Sequence, residues 1–321
     1  MRNYRVTGPV EVPTAVLAAM TAPMVSHRSE GFRSDFADVA RRLGPVFGTT
    51  RDVLVLTCSG TGGLEAAAWS VLRPADRVLS VQIGYFGQRF AEIARRTGAR
   101  VDELSCEWGE VVDPARVAAV AGDYDAVLLT HGETSTGVLG PLRAWSEAVR
   151  GAGDALLLVD VVGSLGATEI GFDELGLDVA VGVTQKALAC PPGLALVAVS
   201  GRALQRARTP GSRAFYLDLA AAADSATERT TTWTPALPQL RALGAALDLL
   251  HDEGLPAVWE RHRRTARACH EALASRGFEV VPAPEHRSPG VTAVRLPGGV
   301  SLWVRQAAAS SGSGLLTVGG L

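Results

Sequence analysis

The stretch VAVGVTQK, residues 179–186, places a run of small apolar residues directly before a polar end that contains Lys186. Short valine-rich runs of this kind are typical of strands buried inside a parallel sheet. The chain has 31 lysine and arginine residues, and Lys186 is the only lysine among them. Desolvation at the end of such a strand lowers the pKa of a lysine and makes its amine a nucleophile toward carbonyl groups. Arginine cannot form the corresponding Schiff base, so we expect Lys186 to be a reactive residue.

Similar apolar runs recur on both sides of this stretch and alternate with segments of helical periodicity. The predicted strands are Val53–Thr57, Arg77–Gln82, Val101–Leu104, Ala126–Thr130, Leu156–Asp160, Val179–Val183 and Leu194–Ser200. The predicted helices are Leu64–Leu72, Gln88–Thr97, Pro114–Ala121 and Leu142–Gly151. This alternation predicts an α/β fold in which helices cover a doubly wound, mostly parallel sheet. Ligands of such sheets bind at the carboxyl ends of the strands.

The pattern changes after Phe215, where two consecutive helical segments precede two further short strands. The helices are predicted at Pro235–Leu250 and Leu255–Arg276, and the strands at Phe278–Val281 and Val291–Leu296. We therefore expect a large domain over residues 1–250, with an N-terminal arm over 1–20, and a smaller α+β domain over 251–321. The run SSGSG at 310–314 is expected to be a flexible stretch within the smaller domain.

Charge and cysteine content narrow the class of protein. The formal net charge is −2, without the basic excess of a nucleic-acid-binding domain. The four cysteines lie far apart and without metal-ligand spacing, so we expect buried, reduced thiols and no metal. The N-terminus has no signal-peptide pattern, and no apolar run approaches the ~18 residues of a membrane span. These features predict a cytoplasmic protein that binds neither nucleic acid nor membrane.

The glycine-rich segment SGTGG, residues 59–63, lies between a predicted strand and a predicted helix. Glycines allow close backbone approach, and the free N–H groups at a helix N-terminus attract phosphate. A tight turn explains the same residues equally well. Glu65 stands where a dinucleotide-binding motif needs its third glycine, and no Gly-Lys-Ser/Thr of a P-loop follows. A dehydrogenase is therefore disfavoured.

Other strand ends carry polar or aromatic groups with complementary chemistry. Asp160 ends a predicted strand, where its carboxylate either caps a helix or keeps a pyridine nitrogen protonated. The segment HGETSTG at 131–137 supplies hydroxyls and a glutamate, and GYFG at 84–87 supplies an aromatic face for stacking. A phosphate site, a stacking ring, a carboxylate and a nucleophilic lysine together make a complete pyridoxal 5′-phosphate (PLP) site.

These segments resemble the class V aminotransferases, specifically the alanine/serine–glyoxylate aminotransferase group. The similarity runs from Gly8-Pro9 to the C-terminus, and its matching segments are SGTG 59–62, GYFG 84–87, THGETSTGVL 130–139, VD 159–160, TQKAL 184–188 and PPGL 191–194. The resemblance implies a fold type I PLP enzyme that forms homodimers with shared active sites. It also implies amino transfer between a small amino acid, such as alanine or serine, and a 2-oxo acid, such as glyoxylate or pyruvate.

The resemblance further implies a role for each matching residue. Lys186 would hold PLP as a Schiff base and transfer the proton, and Asp160 would pair with the pyridinium nitrogen. The remaining implied cofactor-binding residues are Ser59, Gly60, Thr61 and Gln185 at the phosphate, Phe86 and Val162 on the two ring faces, Ser135 near the ring hydroxyl, and Thr234 reaching the phosphate of the other subunit.

Two departures from the family pattern leave alternatives open. Thr231 stands near the position of a phosphate-binding tyrosine, and the sequence ends at Leu321, before the segment that carries a carboxylate-binding arginine in relatives. We therefore expect a shortened small domain, and Arg28, Arg33 and Arg287 are the candidate replacements for that arginine. The alternatives are a PLP-dependent lyase, a specialised biosynthetic enzyme with a non-standard substrate, or a catalytically impaired relative.

Overall fold

The computed structural model describes residues 6–295, and a seven-stranded sheet lies at its centre. The strands are β1 Leu54–Leu56, β2 Arg77–Gln82, β3 Arg100–Ser105, β4 Ala126–Thr130, β5 Gly132–Glu133, β6 Val138–Leu139, β7 Leu156–Asp160, β8 Val179–Val183, β9 Ala195–Val199, β10 Glu279–Val280 and β11 Val294–Arg295. Seven of these strands form the central sheet, in the order β1-β9-β8-β7-β4-β2-β3. Within this sheet, β9 runs in the direction opposite to the other six strands. The other six strands therefore end at one common edge, as the predicted mostly parallel sheet requires.

Alternating side chains of the central strands face two separate hydrophobic cores. Within β7, Leu157 and Val159 belong to one core and Leu158 to the other, and all three are fully buried. Because helices cover both faces of the sheet, its central strands read as continuous apolar runs.

Helices pack on each face of the sheet. They are α1 Thr14–Ala19, α2 Glu30–Phe47, α3 Gly60–Val71, α4 Tyr85–Arg96, α5 Pro114–Ala118, α6 Leu142–Ala152, α7 Gly201–Arg208, α8 Leu219–Thr227, α9 Leu237–Glu253 and α10 Leu255–Ala274. The apolar residues of α3, α4, α7 and α8 enter one core, and those of α2, α5, α6 and α9 enter the other. Antiparallel β10 and β11 follow α10.

The sequence analysis predicted the bounds of the central strands more accurately than the first residues of the helices. The predicted bounds of β2, β4, β7 and β8 are confirmed. Helix α3 begins at Gly60 rather than Leu64, because the Ser59 hydroxyl caps it by accepting from the Gly62 amide at 3.2 Å. The predicted glycine-rich connection is therefore the first turn of a helix.

Four helices, α1, α2, α7 and α8, were absent from the sequence prediction. Helix α1 has no side-chain cap. The N-terminal signals of the other three are ordinary, since Ser29, Ser200 and Asp218 each accept a backbone N–H as the N-cap residue. Of the predicted strand Val291–Leu296, only Val294–Arg295 is a strand, and Leu296 lies outside the described residues. The run 310–314 also lies outside them.

The amino-terminal edge of the sheet is tied together by Asp178, whose carboxylate is buried. It accepts hydrogen bonds from Arg150 at 2.7 Å, from the Leu157 amide at 3.0 Å and from the Ser200 hydroxyl at 2.7 Å. These contacts join α6, β7 and the start of α7. The charge at this edge is therefore satisfied by the protein itself.

The cysteines are all free thiols, as predicted, but they are not all buried. Cys190 is buried, Cys58 and Cys106 are partly buried, and Cys269 is exposed on α10. The prediction of burial was therefore wrong for Cys269. Within residues 6–295, none of the helices combines the length and the apolar character needed to cross a membrane.

Replacing Gly63 by alanine should destabilise the protein by about 1–3 kcal/mol through overpacking. An added Cβ would lie 2.6 Å from Val181 Cγ1 and 2.9 Å from Ala195 Cβ, both in the core between α3 and the sheet. Urea unfolding measures the change. The control is Gly31→Ala in α2, where no atom lies within 4 Å of the added Cβ. It should leave stability equal or higher, and equal effects of the two substitutions would contradict the proposed overpacking.

Candidate active site

Lys186 lies just beyond the end of β8, at the common edge of the parallel strands. Its side chain is partly buried, and its amine donates a hydrogen bond to the carbonyl oxygen of Thr7 in the N-terminal arm. Burial lowers the pKa of Lys186, and the nearby carboxyl of Asp160 acts in the opposite direction. A larger fraction of the amine is therefore neutral than for an exposed lysine.

Asp160 ends the neighbouring strand β7 and is only 3% exposed. Its Oδ1 accepts a hydrogen bond from the Val162 amide at 2.8 Å. Burial raises the pKa of Asp160 to about 7, the Val162 hydrogen bond opposes that rise, and Glu133 adds to it. The structure thus brings together the two predicted catalytic residues, Lys186 and Asp160, as a partly buried amine beside a buried carboxyl.

The N-terminus of α3 lies against the same strand ends. A Cβ on Gly60 would stand 2.7 Å from Val183 and 3.0 Å from Val162, so only glycine allows this close approach. Among residues 6–295, no acceptor takes the backbone N–H groups of Gly60 and Thr61. Free N–H groups at the positive end of a twelve-residue helix suit an anion such as phosphate.

The N-terminus of α4 is fixed by Glu133, a fully buried carboxylate in β5. Its oxygens accept hydrogen bonds from the Phe86 amide at 2.9 Å, the Gly87 amide at 3.3 Å and the Ser135 hydroxyl at 2.7 Å. The Ser135 hydroxyl also accepts from the Tyr85 amide at 3.1 Å. This network holds Phe86 and Ser135 around Glu133, whose charge acts on Asp160. It also explains why α4 begins at Tyr85 rather than at the predicted Gln88.

Gln185 and Thr234 occupy contrasting places. The side-chain oxygen of Gln185 is buried without a hydrogen-bond partner among the described residues, which marks a place for a polar ligand atom. Thr234 is exposed and lines a cavity beside β1 together with Thr57 and Trp233. Within the described part of one chain, no hydrogen bond joins Thr234 to Lys186 or Asp160.

The arginines considered as carboxylate-binding replacements face elsewhere within the described chain. Arg33 donates to the Glu228 carbonyl at 2.7 Å, and Arg287 donates to the Pro282 carbonyl at 3.0 Å. Arg28 is exposed near the start of α2. None of these contacts joins them to Lys186 or Asp160.

Three residues of this site were not singled out from the sequence. Thr7 contacts the lysine amine, and Gly8, with φ +107°, would place a Cβ 2.9 Å from Lys186 Nζ. Arg89 lies over the rings of Tyr85 and Phe86, 4.9 Å from each centroid, and its Nη1 donates to the Thr61 hydroxyl at 3.4 Å. Helical spacing from Phe86 was the available signal for Arg89. No sequence signal places the distant arm on Lys186.

Comparison with known proteins identifies the family. The family profile described as "Aminotransferase class-V" matches residues 14–312. This chain belongs to the class V aminotransferases. The match confirms the resemblance, and it agrees with the arrangement of Asp160 and Lys186 at adjacent strand ends.

Individual relatives match this chain over most of its length. It is 37% identical over 298 residues to the "Soluble hydrogenase 42 kDa subunit" of Anabaena cylindrica, covering 91% of this chain and 78% of the relative. It is 36% identical over 301 residues to alanine–glyoxylate aminotransferase of Oryctolagus cuniculus, covering 90% and 76%. The crystal structure of ureidoglycine–glyoxylate aminotransferase from Bacillus subtilis superposes with a TM-score of 0.93 at 33% identity, covering 98% of this chain and 83% of that one. These similarities confirm the predicted fold type I architecture.

Class V aminotransferases depend on PLP, and the residues at this edge of the sheet fit that cofactor. The unpaired N–H groups of Gly60 and Thr61 suit its phosphate. The buried carboxyl of Asp160 suits its pyridine nitrogen, and the amine of Lys186 suits its aldehyde. The buried oxygen of Gln185, which lacks a partner in residues 6–295, lies directly before the lysine.

The cofactor-free protein should lose stability through Asp160 as the pH rises from about 4 to 7. The unfolded chain releases this proton near the ordinary pKa of about 3.9, whereas burial holds the pKa at about 7 in the folded protein. The folded state therefore binds more protons than the unfolded state in this window. The resulting loss in the free energy of unfolding reaches at most about 4 kcal/mol above pH 7. Asp160→Asn should remove this loss, as measured by urea unfolding without cofactor across that pH range.

The difference between variant and wild type at each pH isolates the contribution of Asp160. Burial lowers the pKa of His131 to about 4, so its contribution to stability rises with pH in the same window and partly masks that of Asp160. Both proteins contain His131, so its effect cancels in the difference. A stability difference that stays constant between pH 4 and 8 would show that Asp160 titrates normally.

Proposed function

We propose that this class V aminotransferase moves an amino group between a small amino acid, such as alanine or serine, and a 2-oxo acid, such as glyoxylate or pyruvate. The observation that carries the proposal is the only lysine of the chain, partly buried, beside a buried carboxyl at adjacent strand ends. The names of two relatives support the substrate class. One pairs alanine with glyoxylate and the other pairs ureidoglycine with glyoxylate, so glyoxylate is common to both.

In the proposed mechanism, Lys186 has two roles. Because burial lowers the pKa of Lys186, its neutral amine would hold the aldehyde of PLP as a Schiff base and, when free, would accept a proton from the substrate α-carbon. When bound, PLP supplies an electron sink that stabilises the negative charge developing at that carbon. The contact between the lysine amine and the Thr7 carbonyl must break before the amine reaches a ligand.

Asp160 would hold the proton of the pyridine nitrogen. Its carboxyl has a pKa raised to about 7 by burial, and a cationic ring nitrogen beside it would favour the ionised carboxylate. The hydrogen bond from the Val162 amide fixes the orientation of the carboxyl group. Asp160 thereby contributes a positioned charge that water cannot screen.

The remaining predicted contacts orient the cofactor. Ser59, Gly60 and Thr61 would bind its phosphate at the start of α3, with Gln185 completing that site. Phe86 and Val162 would pack on opposite faces of the ring, and Ser135 would lie near the ring hydroxyl. Support comes from the positions of these residues on α3, α4 and the loops after β5, β7 and β8.

We also propose the division into a large domain, residues 1–250, and a small domain, 251–321. The boundary falls within the last turn of α9, and the packing of β10 against α10 supports it.

The free thiols, including exposed Cys269, favour the reducing environment of the cytoplasm.

We infer a homodimer in which Thr234 reaches the phosphate bound in the other subunit. Thr234 follows the exposed Trp233. The ring of Trp233 stacks on that of Tyr216, with 5.7 Å between the ring centroids, and lies 5.3 Å from the ring centroid of Phe215. Phe215 is 78% exposed and Tyr216 is 51% exposed. An exposed aromatic cluster is a common feature of protein–protein interfaces, and it adjoins the segment that would cross between subunits.

Lys186→Arg should abolish attachment of PLP, because a guanidinium retains the charge but forms no Schiff base. Wild type mixed with PLP should develop the visible absorption of a lysine-bound cofactor. Borohydride reduction should then fix the cofactor on Lys186, the only lysine in the chain, and mass spectrometry should detect the added mass of PLP there. The variant should show neither change. Absence of both changes in the wild type would contradict the proposed function.

Adding amino acids to the PLP-loaded wild type then identifies the reaction. L-Alanine, L-serine and L-aspartate are added in turn, and the proposal expects conversion to pyridoxamine 5′-phosphate with at least one donor, reversed by glyoxylate or pyruvate. Bound cofactor that ignores every donor would favour a catalytically impaired relative. Release of ammonia and pyruvate without pyridoxamine 5′-phosphate would favour a lyase.

Complementation between two defective chains tests the shared site. Lys186→Ala should fail to attach PLP, and Thr234→Glu should weaken its binding by placing a carboxylate beside the phosphate. A purified mixed dimer contains one site with both wild-type residues and should regain one bound cofactor per dimer. Thr227→Glu, which adds the same charge at the exposed end of α8, should leave binding unchanged. A monomer in sedimentation, or no recovery in the mixed dimer, would rule out the shared site.

A further inference from the structure

We propose that Arg89 is an additional anion-binding residue of this site and supplies the positive charge that faces the cofactor phosphate. The inference rests on the proposed function in one respect, namely the placement of that phosphate at the N-terminus of α3. It concerns a residue in α4, outside the SGTGG segment that carries the predicted phosphate contacts.

The position of Arg89 between α3 and α4 is the first argument. Its Nη1 donates to the hydroxyl of Thr61, which stands in the first turn of α3 beside the unpaired N–H groups. Its guanidinium lies 4.9 Å from the centroids of both Phe86 and Tyr85. Contact with both rings, which are nearly perpendicular to each other, restricts the long side chain and holds its guanidinium in one place.

The lack of a counter-charge is the second argument. Arg89 is only partly exposed, and it forms no ion pair with a carboxylate among residues 6–295. On the same helix, Arg95 pairs with Glu103 and Arg96 pairs with Glu92. A partly buried guanidinium without a carboxylate partner favours an anionic ligand at its free N–H groups.

The charge of the phosphate is the third argument. A phosphate monoester carries about two negative charges near neutral pH. The predicted phosphate contacts from Ser59, Gly60, Thr61 and Gln185 are all neutral, and the only lysine is assigned to the aldehyde. Arg89 also lowers the pKa of Asp160, so its charge acts within the site. A bidentate guanidinium contact is the strongest neutralisation available at this position.

A purely structural role for Arg89 makes a different prediction. If its guanidinium only supported the rings of Tyr85 and Phe86, its loss would weaken every ligand that stacks on Phe86. If it binds phosphate, its loss would weaken only ligands that carry one. Pyridoxal has the ring and aldehyde of PLP without the phosphate, so comparing the two ligands separates these roles.

The experiment titrates cofactor-free wild type, Arg89→Met and Arg96→Met with PLP and with pyridoxal, following the absorption of the lysine-bound form. Arg89→Met should weaken PLP binding about tenfold, as expected for loss of a charge-assisted hydrogen bond, and change pyridoxal binding less than about twofold. Arg96→Met removes the same charge from an exposed position in α4 and should change neither.

Two results would overturn the proposal. Equal weakening of both ligands would make Arg89 a support for the aromatic rings, and unchanged PLP binding would leave it without a role at the phosphate. Circular dichroism checks the fold of each variant. If Arg89→Met does not fold, Arg89→Lys and Arg89→Gln give the same comparison, with lysine expected to keep more of the preference for PLP than glutamine. Failure of wild type to bind either ligand would instead contradict the proposed function.

Discussion

Burial of the sheet on both faces is the constraint on which this structure depends. The central strands are apolar along their whole length, because helices cover both sides and leave no place for water. In these central strands, charged groups are therefore confined to the two edges where the strands begin or end. At one edge Asp178 is satisfied by Arg150 and by backbone and hydroxyl donors, whereas at the other Asp160 and Lys186 have few protein partners. This asymmetry gives the sheet one edge that stabilises the fold and one that is available for a ligand.

The fold was predictable where a single physical signal decided the local structure. Strands β2, β4, β7 and β8 were predicted to the residue, because burial on both faces forces a short, uniformly apolar run. The starts of helices were less predictable. Helix α4 begins at Tyr85 because Glu133, 46 residues away from Gly87 along the chain, accepts its first amides. Local propensity carries no information about such a distant capping residue.

The residues of the candidate site were also predictable to different degrees. The positions of Lys186, Asp160 and the α3 N-terminus follow from the rule that parallel strands end at one edge, so these groups were predictable without coordinates. The contact of Thr7 with Lys186 was not, since 179 residues separate the two. Arg89 was partly predictable, because helical spacing placed it near Phe86. Only the structure showed that it lacks a carboxylate partner among residues 6–295.

The replacement of nearly all lysine by arginine also sets how the whole molecule responds to alkali. Guanidinium groups keep their protons beyond about pH 12, so the positive surface charge stays constant where most proteins lose theirs. Between about pH 9 and 11, net charge changes mainly through the tyrosines, the thiols and the single side-chain amine. Burial raises the pKa of the Cys190 thiol to about 12 and that of Cys58 to about 11, which removes much of the thiol contribution. Net charge in alkali therefore falls through a small number of groups, the four tyrosines and the single lysine among them, and the molecule stays more cationic than a lysine-rich protein of the same charge at neutral pH.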